Sequence, residues 1–296
     1  RIAKYDHEFE GRNSRLDGIQ AAILDVKLRY LDKWNNHRIV VAEEYLKRLE
    51  ENPNIISPVR QDWAKQAYHL FVIRCKDRDK LQEKLNGIIV DPGDAKPVLT
   101  KLEKEKINLK AILITHKHHD HIGGIEELIN NYPNVKIYGP ENNQFGFKYQ
   151  IVKEGDAITV SGTKVKFNII ETPGHTLDHI VYVDKEHLFC GDTLFACGCG
   201  KLFEGTHDEM YKSLLKISSL APNTKVYCGH EYTKENIKFA LSIDADNYEL
   251  NERCRRLQDV EITIPSLLQE ELETNPFLRV RNSEEFKLIR KRKDEF

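Results

Sequence analysis

The sequence lacks several features that would define common protein classes. No uncharged apolar run in its 296 residues approaches the ~20 needed to cross a bilayer, so a membrane-spanning helix is excluded. No charged-then-apolar leader opens the chain, so nothing directs it to secretion and a cytoplasmic location is expected. The first residue is Arg1 rather than Met, which leaves the natural start expected outside this sequence. Neither sign of charge is in excess: 45 basic residues face 47 acidic ones, a net charge of −2. That balance argues against a dedicated nucleic-acid binder. Six cysteines, Cys75, Cys190, Cys197, Cys199, Cys228 and Cys254, are too few and too scattered for a disulfide scaffold and read as reduced thiols. Cys197 and Cys199 have neither the two-residue gap nor the second pair of a zinc knuckle. Internal repeats and low-complexity tracts are also missing. What remains is a chain with 40% apolar and 31% charged residues, able to build a packed core and long enough for two ordinary domains or one large one.

Two unlike pieces follow one another. In the first, over 1–86, Leu16, Ile19, Ile23, Val26 and Tyr30 recur at three- and four-residue intervals, which predicts a helix with one buried face, Ser14 as its N-cap. The pattern continues through Ile39, Val40, Tyr45 and Leu49, with a break allowed near Asn35-Asn36, and Asn52-Pro53-Asn54 reads as a turn. Tyr68 to Ile73 reads as a strand and Asp77 to Leu85 as a short helix. From Gly87 short apolar strands alternate with helices: Ile88 to Val90, a helix over Ala95 to Lys104, a strand over Ala111 to Thr115, a helix over Ile125 to Asn130. Between Ala157 and Cys190 only strands are expected, at 157–160, 164–171, 180–183 and 187–190. Beyond Glu231 the chain turns mostly helical and closes on the basic cluster Lys287, Arg290, Lys291, Arg292 and Lys293.

The central motif is Thr115-His116-Lys117-His118-His119-Asp120-His121, directly after an apolar strand and before Gly123-Gly124. In extended backbone, side chains two apart point the same way, so His116 and His118 can reach one ion together. As the chain turns into the next helix, Asp120 and His121 can face a second ion. Three further candidates each follow a short apolar strand beside a glycine: His175 in Pro173-Gly174-His175, Asp192 in Cys190-Gly191-Asp192 and His230 in Cys228-Gly229-His230. The glycines allow sharp turns that deliver side chains to one rim of a sheet. Seven nitrogen and oxygen ligands suit two borderline ions such as Zn²⁺, with Fe or Mn as substitutes. A chance occurrence of the six-residue motif in a chain this size is roughly a one-in-a-thousand event. Taken singly, His175, Asp192 and His230 read equally as a turn histidine, a helix cap and another turn histidine; only their joint placement after strands makes them ligands. His119 carries no assignment, and His7, His37, His69, His179, His187 and His207 read as surface or core histidines.

These residues resemble the metallo-β-lactamase superfamily and, within it, the hydroxyacylglutathione hydrolases (glyoxalase II). Cys197-Gly198-Cys199-Gly200-Lys201-Leu202-Phe203-Glu204-Gly205-Thr206 is similar to that branch's glutathione-binding loop, Cys228 to Thr233 to its last-ligand motif, and Asn275 to Val280 with Arg290 to Phe296 to its C-terminal helical domain. The resemblance implies an α/β (α+β) fold: an αββα sandwich over 87–232 and a helical glutathione-binding domain over 233–296. It implies that His116, His118 and His175 bind one metal and that Asp120, His121 and His230 bind the second. Asp192 would bridge them, and Lys201, Phe203, Tyr232, Arg290 and Lys293 would hold glutathione. Phe203 stands where the family often has Tyr. The sandwich's first two strands, which the family places before Ile88-Ile89-Val90, are expected to be missing. In their place Gly11 to Ala22 and Tyr68 to Val72 resemble the small domain of the DegT/DnrJ/EryC1 aminotransferases. The large domain of that family, with its Schiff-base lysine, is not in the sequence, so no pyridoxal phosphate and no transamination are expected.

The reaction implied is hydrolysis of S-(2-hydroxyacyl)glutathione thioesters such as S-lactoylglutathione, a step of methylglyoxal detoxification. A metal-bridging hydroxide would attack, with Asp120 orienting it as the catalytic carboxylate. Two alternatives stand beside it. One is another enzyme of the same fold, a persulfide dioxygenase with a single iron, a lactonase or a β-lactamase-like hydrolase. The other is a non-catalytic fusion chain that self-associates through its N-terminal fragment. No nucleic-acid or membrane partner is expected.

Overall fold

Ala111, Ile112, Leu113 and Ile114 form an unbroken apolar run because both of its faces are covered. Ala111 and Leu113 point into one core, Ile112 and Ile114 into another. The computed structural model describes residues 18–50, 52–59, 63, 65–68, 70–75, 85–142 and 144–296, and it divides the chain into two units, 1–79 and 80–296.

In the first unit, helix α1 (Gly18–Leu49) runs without a break at Asn35-Asn36. Strands β1 (Ile55–Ile56) and β2 (Arg74–Cys75) form a short antiparallel pair. The expected buried stripe of α1 is a correction: Ile23, Val26 and Tyr30 are exposed, and burial falls instead on Ala42, with Ile39 and Leu46 half-buried one turn either side. There the Tyr45 ring packs against Phe71 at 5.4 Å. The strand expected over Tyr68 to Ile73 does not form at its described positions. Leu70 and Val72 stay exposed, and the pairing begins only at Arg74. Ser14 and the helix expected from Asp77 lie outside the described residues, apart from Leu85, which is a turn.

The second unit has four layers. A parallel sheet holds β3 (Asn86–Val90), β4 (Asn108–Leu113), β5 (Lys136–Gly139) and β6 (Gln150–Ile151), in that order. A six-stranded sheet runs β14-β13-β10-β9-β8-β7, from β14 (Ser266–Leu267) and β13 (Lys225–Cys228) through β10 (His187–Gly191), β9 (Ile180–Val183) and β8 (Lys166–Glu171) to β7 (Ala157–Thr159). Only the β10–β13 pair of this sheet is parallel. Between the sheets lie Leu113, Tyr138, Phe167, Ile169, Ile180 and Tyr182. The period of two along a strand then dictates the rest. Val181 and Val183, alternating with Ile180 and Tyr182, face the outer helices α5 (His207–Ser218), α6 (Thr233–Ile243) and α9 (Ser283–Glu295) through Met210, Leu214, Phe239 and Phe286. On the opposite face, α2 (Ala95–Glu105) and α4 (Ile125–Asn131) cover Ile112 and Ile114 with Leu102, Ile125 and Leu128. Between these two helices lies the single turn α3 (His119–Ile122), and the C-terminal region adds α7 (Tyr248–Leu257) and α8 (Leu268–Thr274).

Among the described residues β3 pairs on one side only, which makes it the edge of its sheet. Beside it a cavity of about 330 Å³ opens between Ile88 and Val90 on one sheet and Phe167, Phe189 and Tyr227 on the other, ending at Asp120 and His121. The two sheets are tied at the same end by the Tyr182 hydroxyl, which lies 2.9 Å from the Ile114 carbonyl and 3.1 Å from that of Tyr138. The Ile180 N–H donates to the Thr115 carbonyl at 3.0 Å. The histidine-rich loop is thereby fastened to both sheets.

Candidate metal centre

Strands β4, β8, β10 and β13 all deliver their C-terminal ends to one rim. His116 and His118 follow β4, His175 follows β8, Asp192 follows β10 and His230 follows β13, while Asp120 and His121 sit in α3. The seven sequence-predicted ligands converge there. His116, His118 and His175 form one group and Asp120, His121 and His230 another, with the ligand atoms of each group within 4.8 Å of one another. His118 Nδ1 lies 3.1 Å from His116 Nε2 and 3.0 Å from His175 Nε2. In the second group His230 Nε2 stands 3.3 Å from His121 Nε2 and 3.2 Å from Asp120 Oδ2. Asp192 reaches both groups: Oδ1 is 3.3 Å from His121 Nε2, and Oδ2 is 3.5 Å from His175 Nε2 and 3.4 Å from His230 Nε2.

The approach is close because Gly229 has no side chain. A Cβ there would lie 2.5 Å from Asp192 Oδ1 and 2.6 Å from His121 Cε1.

Three of the imidazoles have their outward nitrogen occupied, so that in the neutral ring the inward nitrogen carries the lone pair. His175 Nδ1 donates to the Lys201 carbonyl at 2.7 Å. His116 Nδ1 lies 3.0 Å from Thr115 Oγ1, whose hydroxyl donates to Asp91 Oδ2. His121 Nδ1 meets Asp91 Oδ2 at 2.9 Å. Partners of this kind set the tautomer and raise the basicity of a metal-binding histidine. Asp91 itself is filled on both oxygens, since Oδ1 accepts from the Thr115 N–H at 2.8 Å. Although its carboxylate also lies close to His116 and His121, its place is behind His121 and not on an ion.

The electrostatics of the metal-free site follow from burial and from these partners. Burial, reinforced by the neighbouring His179 and His121, holds His116 far below the ordinary histidine range and so neutral. Burial likewise lowers His175. His121 moves the other way: burial opposes its charge, but hydrogen bonds to Asp192 and Asp91 prevail and hold it at about 10. His230 is also raised, chiefly by its hydrogen bond to Asp192. Burial would raise Asp192, yet the bonds from His121 and His230 outweigh it and keep the carboxylate ionised. Burial pushes the nearby Cys228 thiol up to about 12, so it stays protonated and stands outside the ligand set.

The donor set fits metal ions. Asp192 Oδ1 is buried with no partner but the His121 imidazole at 3.3 Å, itself a ligand candidate, and two groups of inward-facing imidazole nitrogens flank its carboxylate. Such buried acceptors are costly unless a cation meets them.

Of the five expected substrate contacts, three lie beside this cluster. Phe203 is exposed, with its ring edge-on to His118 at 5.5 Å and to His175 at 5.2 Å. The exposed Lys201 has its Nζ 5.9 Å from the Phe203 ring. Tyr232 is half exposed and stacks on His230 at 5.1 Å. Arg290 and Lys293 are engaged elsewhere. The Arg290 guanidinium is buried, donates to the Cys199 carbonyl at 3.1 Å and to Asp294 at 2.9 Å, and covers the Phe277 ring. Lys293 is half-buried over Phe239 and Phe296.

Sequence reasoning overlooked Asp91, which sits at the end of β3 on the same rim and could have been found by the strand-end pattern that found Asp192. It read His179 only as a surface or core histidine; the ring is buried, and it stacks on His116 at 4.7 Å.

A hydrolytic metal centre at the strand ends of an αββα sandwich defines the class. Residues 82–230 match the metallo-beta-lactamase superfamily, and the chain belongs to it. Residues 231–296 match the hydroxyacylglutathione hydrolase C-terminus, and residues 1–93 the DegT/DnrJ/EryC1/StrS aminotransferase family. Among solved structures the chain is similar to ETHE1 from Myxococcus xanthus, at 25% identity over 70% of this chain and 80% of that one, with a TM-score of 0.53. A metallo-beta-lactamase from Staphylococcus aureus subsp. aureus COL shares the fold, at 21% identity, 74% and 66% coverage and a TM-score of 0.51. The particular chain is therefore a metallohydrolase of this superfamily with a hydroxyacylglutathione hydrolase C-terminus and an aminotransferase-family segment at its N-terminal end. Among the described residues no helix is long and apolar enough to cross a membrane.

Proposed function

We propose that the chain hydrolyses S-(2-hydroxyacyl)glutathione thioesters, with S-lactoylglutathione as the representative substrate, and that its two ions are Zn²⁺. The observation that carries this reading is the pairing of a two-group histidine–aspartate site with a solvent-open rim of Lys201, Phe203 and Tyr232, in a chain whose C-terminal region matches that of the hydroxyacylglutathione hydrolases.

When bound, two such ions would lower the pKa of a shared water and polarise an acyl carbonyl. His116, His118 and His175 would hold one, Asp120, His121 and His230 the other, and Asp192 both. The Asp120 side chain is 60% exposed, so one carboxylate oxygen can serve as ligand while the other accepts a hydrogen bond from the attacking water. A thioester suits a site with no dedicated acid, because a thiolate leaves without prior protonation. Lys201 offers a cation to the carboxylates of glutathione, and the exposed rings of Phe203 and Tyr232 offer flat apolar walls to the peptide.

The test is turnover of S-lactoylglutathione by the purified chain, with added Zn²⁺ and with chelator. Metal-dependent release of glutathione is expected. A folded, zinc-loaded chain that releases none overturns the proposal.

A further inference from the structure

We infer that His179 is a positioning residue of the metal centre, one whose Nε2 holds the backbone of Asp192 and thereby aims the carboxylate shared by the two ligand groups. The inference rests on the dinuclear reading of the site.

The Asp192 N–H donates to His179 Nε2 at 3.1 Å. A nitrogen that accepts carries no proton, so in the neutral ring the hydrogen must sit on Nδ1. Two hydroxyls receive it: Thr172 Oγ1 and Thr193 Oγ1 each lie 3.1 Å from Nδ1, and the Thr193 hydroxyl donates to Thr172 Oγ1 at 3.0 Å. The tautomer that leaves Nε2 open to Asp192 is thus imposed by the surroundings. The ring is 1% exposed, with His116 stacked on it at an interplanar angle of 23°. Its backbone is fastened as well, because the His179 carbonyl accepts from the Thr172 N–H at 2.8 Å. The segments that carry His116, His175 and Asp192 therefore all meet at this one imidazole.

The contact requires a close approach, and the chain provides it. Gly191 has φ +47°, and a Cβ there would lie 2.9 Å from His179 Nε2 and 2.3 Å from Thr115 Oγ1. The side chain of Asp192 cannot aim itself. Both of its oxygens face only imidazoles that are themselves assigned to ions: His121 Nε2 lies 3.3 Å from Oδ1, and His175 Nε2 and His230 Nε2 lie 3.5 Å and 3.4 Å from Oδ2. The direction of the carboxylate then depends on the Asp192 backbone, which the bond to His179 holds.

The experiment compares the full-length chain with His179→Leu and His179→Gln. Zinc affinity and stoichiometry are read by competition with a chromophoric chelator, the cobalt-substituted spectrum is recorded, and folding is followed by circular dichroism. Leucine fills the space without an acceptor; the glutamine amide oxygen can replace Nε2. The wild type should take up two equivalents. His179→Leu should keep a tight first equivalent, bind the second about ten- to a hundredfold more weakly and show an altered cobalt spectrum. His179→Gln should restore most of the loss. Wild-type affinity and spectrum in a folded His179→Leu overturn the inference while leaving the dinuclear reading intact. If the leucine variant does not fold, the glutamine variant decides: two tight equivalents support the inference, and loss of the second overturns it. A wild-type chain that binds fewer than two equivalents overturns the dinuclear reading and this inference with it.

Discussion

His118 Nδ1 and His175 Nε2, 57 positions apart in the chain, face each other at 3.0 Å, and His116 Nε2 lies 3.1 Å from the same Nδ1. The outward nitrogens of His116 and His175 are occupied by Thr115 Oγ1 and the Lys201 carbonyl, so both inward nitrogens are acceptors. His118 Nδ1 carries at most one hydrogen for these two lone pairs. A cation between the three satisfies all of them, which no arrangement of neutral imidazoles does.

His118→Ala should therefore take up about one ion fewer per chain, with turnover falling by about a hundredfold or more. Metal analysis of the dialysed protein alongside thioester hydrolysis checks this. Unchanged metal content would show that the trio is not a binding site.

Metal uptake should depend on pH differently at the two groups. His116 and His175 are lowered by burial and stand neutral near pH 7, so neither has a proton to lose before it coordinates. His121, held at about 10 by hydrogen bonds to Asp192 and Asp91 that outweigh burial, must lose a proton before its Nε2 can coordinate. Affinity at the second group should then rise with pH through the range below about 10, with proton release on binding. Titration calorimetry in buffers of different ionisation enthalpy measures the released protons; the same release at both steps would contradict this assignment.

In the metal-free chain, the proton on His121 also contributes to stability. Its folded pKa of about 10 lies above the ordinary histidine value of 6.5. The contribution is complete below pH 6.5 and is lost as pH rises through about 10. His116, lowered in the fold, contributes in the opposite sense, with stability present above 6.5 and lost on acidification. Melting of the chelator-treated protein should thus be weakened on both sides of neutral pH, and added zinc should flatten the alkaline loss.

Arg253→Met should destabilise the fold by about 3–5 kcal/mol, because it leaves the fully buried Glu271 without its counter-charge. Glu271 also accepts the Cys197 N–H at 2.8 Å and the Asn275 amide at 3.2 Å, which joins α8 to the loop between β11 (Leu194–Phe195) and β12 (Gly198–Cys199). Urea unfolding measures the cost.

Tyr182→Phe should cost about 1–3 kcal/mol, since the buried Ile114 carbonyl loses the hydroxyl at 2.9 Å. Equilibrium unfolding again gives the value.

Under the proposed function, Lys201→Ala should raise KM for S-lactoylglutathione about tenfold with little change in kcat, the equivalent of one charge-assisted contact of about 1.4 kcal/mol. Steady-state kinetics separate the two constants, and a fall in kcat alone would place Lys201 in the chemistry instead.

Much of the site was legible because its information is local. The spacing from His116 to His121 lies on one turn of chain, and His175, Asp192 and His230 each follow a short apolar run and a glycine. Individual strands were legible for a related reason, as runs such as Ala111 to Ile114 and Ile180 to Val183 are apolar throughout, whereas the sandwich that stacks them was implied only by the family resemblance. Less was legible where pairing depends on distant partners. The two-residue strand Ser266–Leu267 exists because Lys225 and Val226 lie beside it, and Tyr68 to Ile73, as apolar as a strand, finds no ladder at its described positions.

The sequence by itself determined which side chains could bind metal and which strand ends would carry them. The tertiary structure alone decided how each is held. The hydrogen on His121 is assigned by Asp91, 30 positions away, that on His175 by the Lys201 carbonyl, 26 away, and the backbone of Asp192 by His179, 13 away. Arg290, expected from the family resemblance to hold glutathione, is turned inward to the Cys199 carbonyl, 91 positions away. The physical reason is that ligand identity is a property of one residue and its neighbours in the chain, whereas a tautomer, a pKa or the aim of a carboxylate depends on atoms that only the folded sheets bring within 3 Å or so.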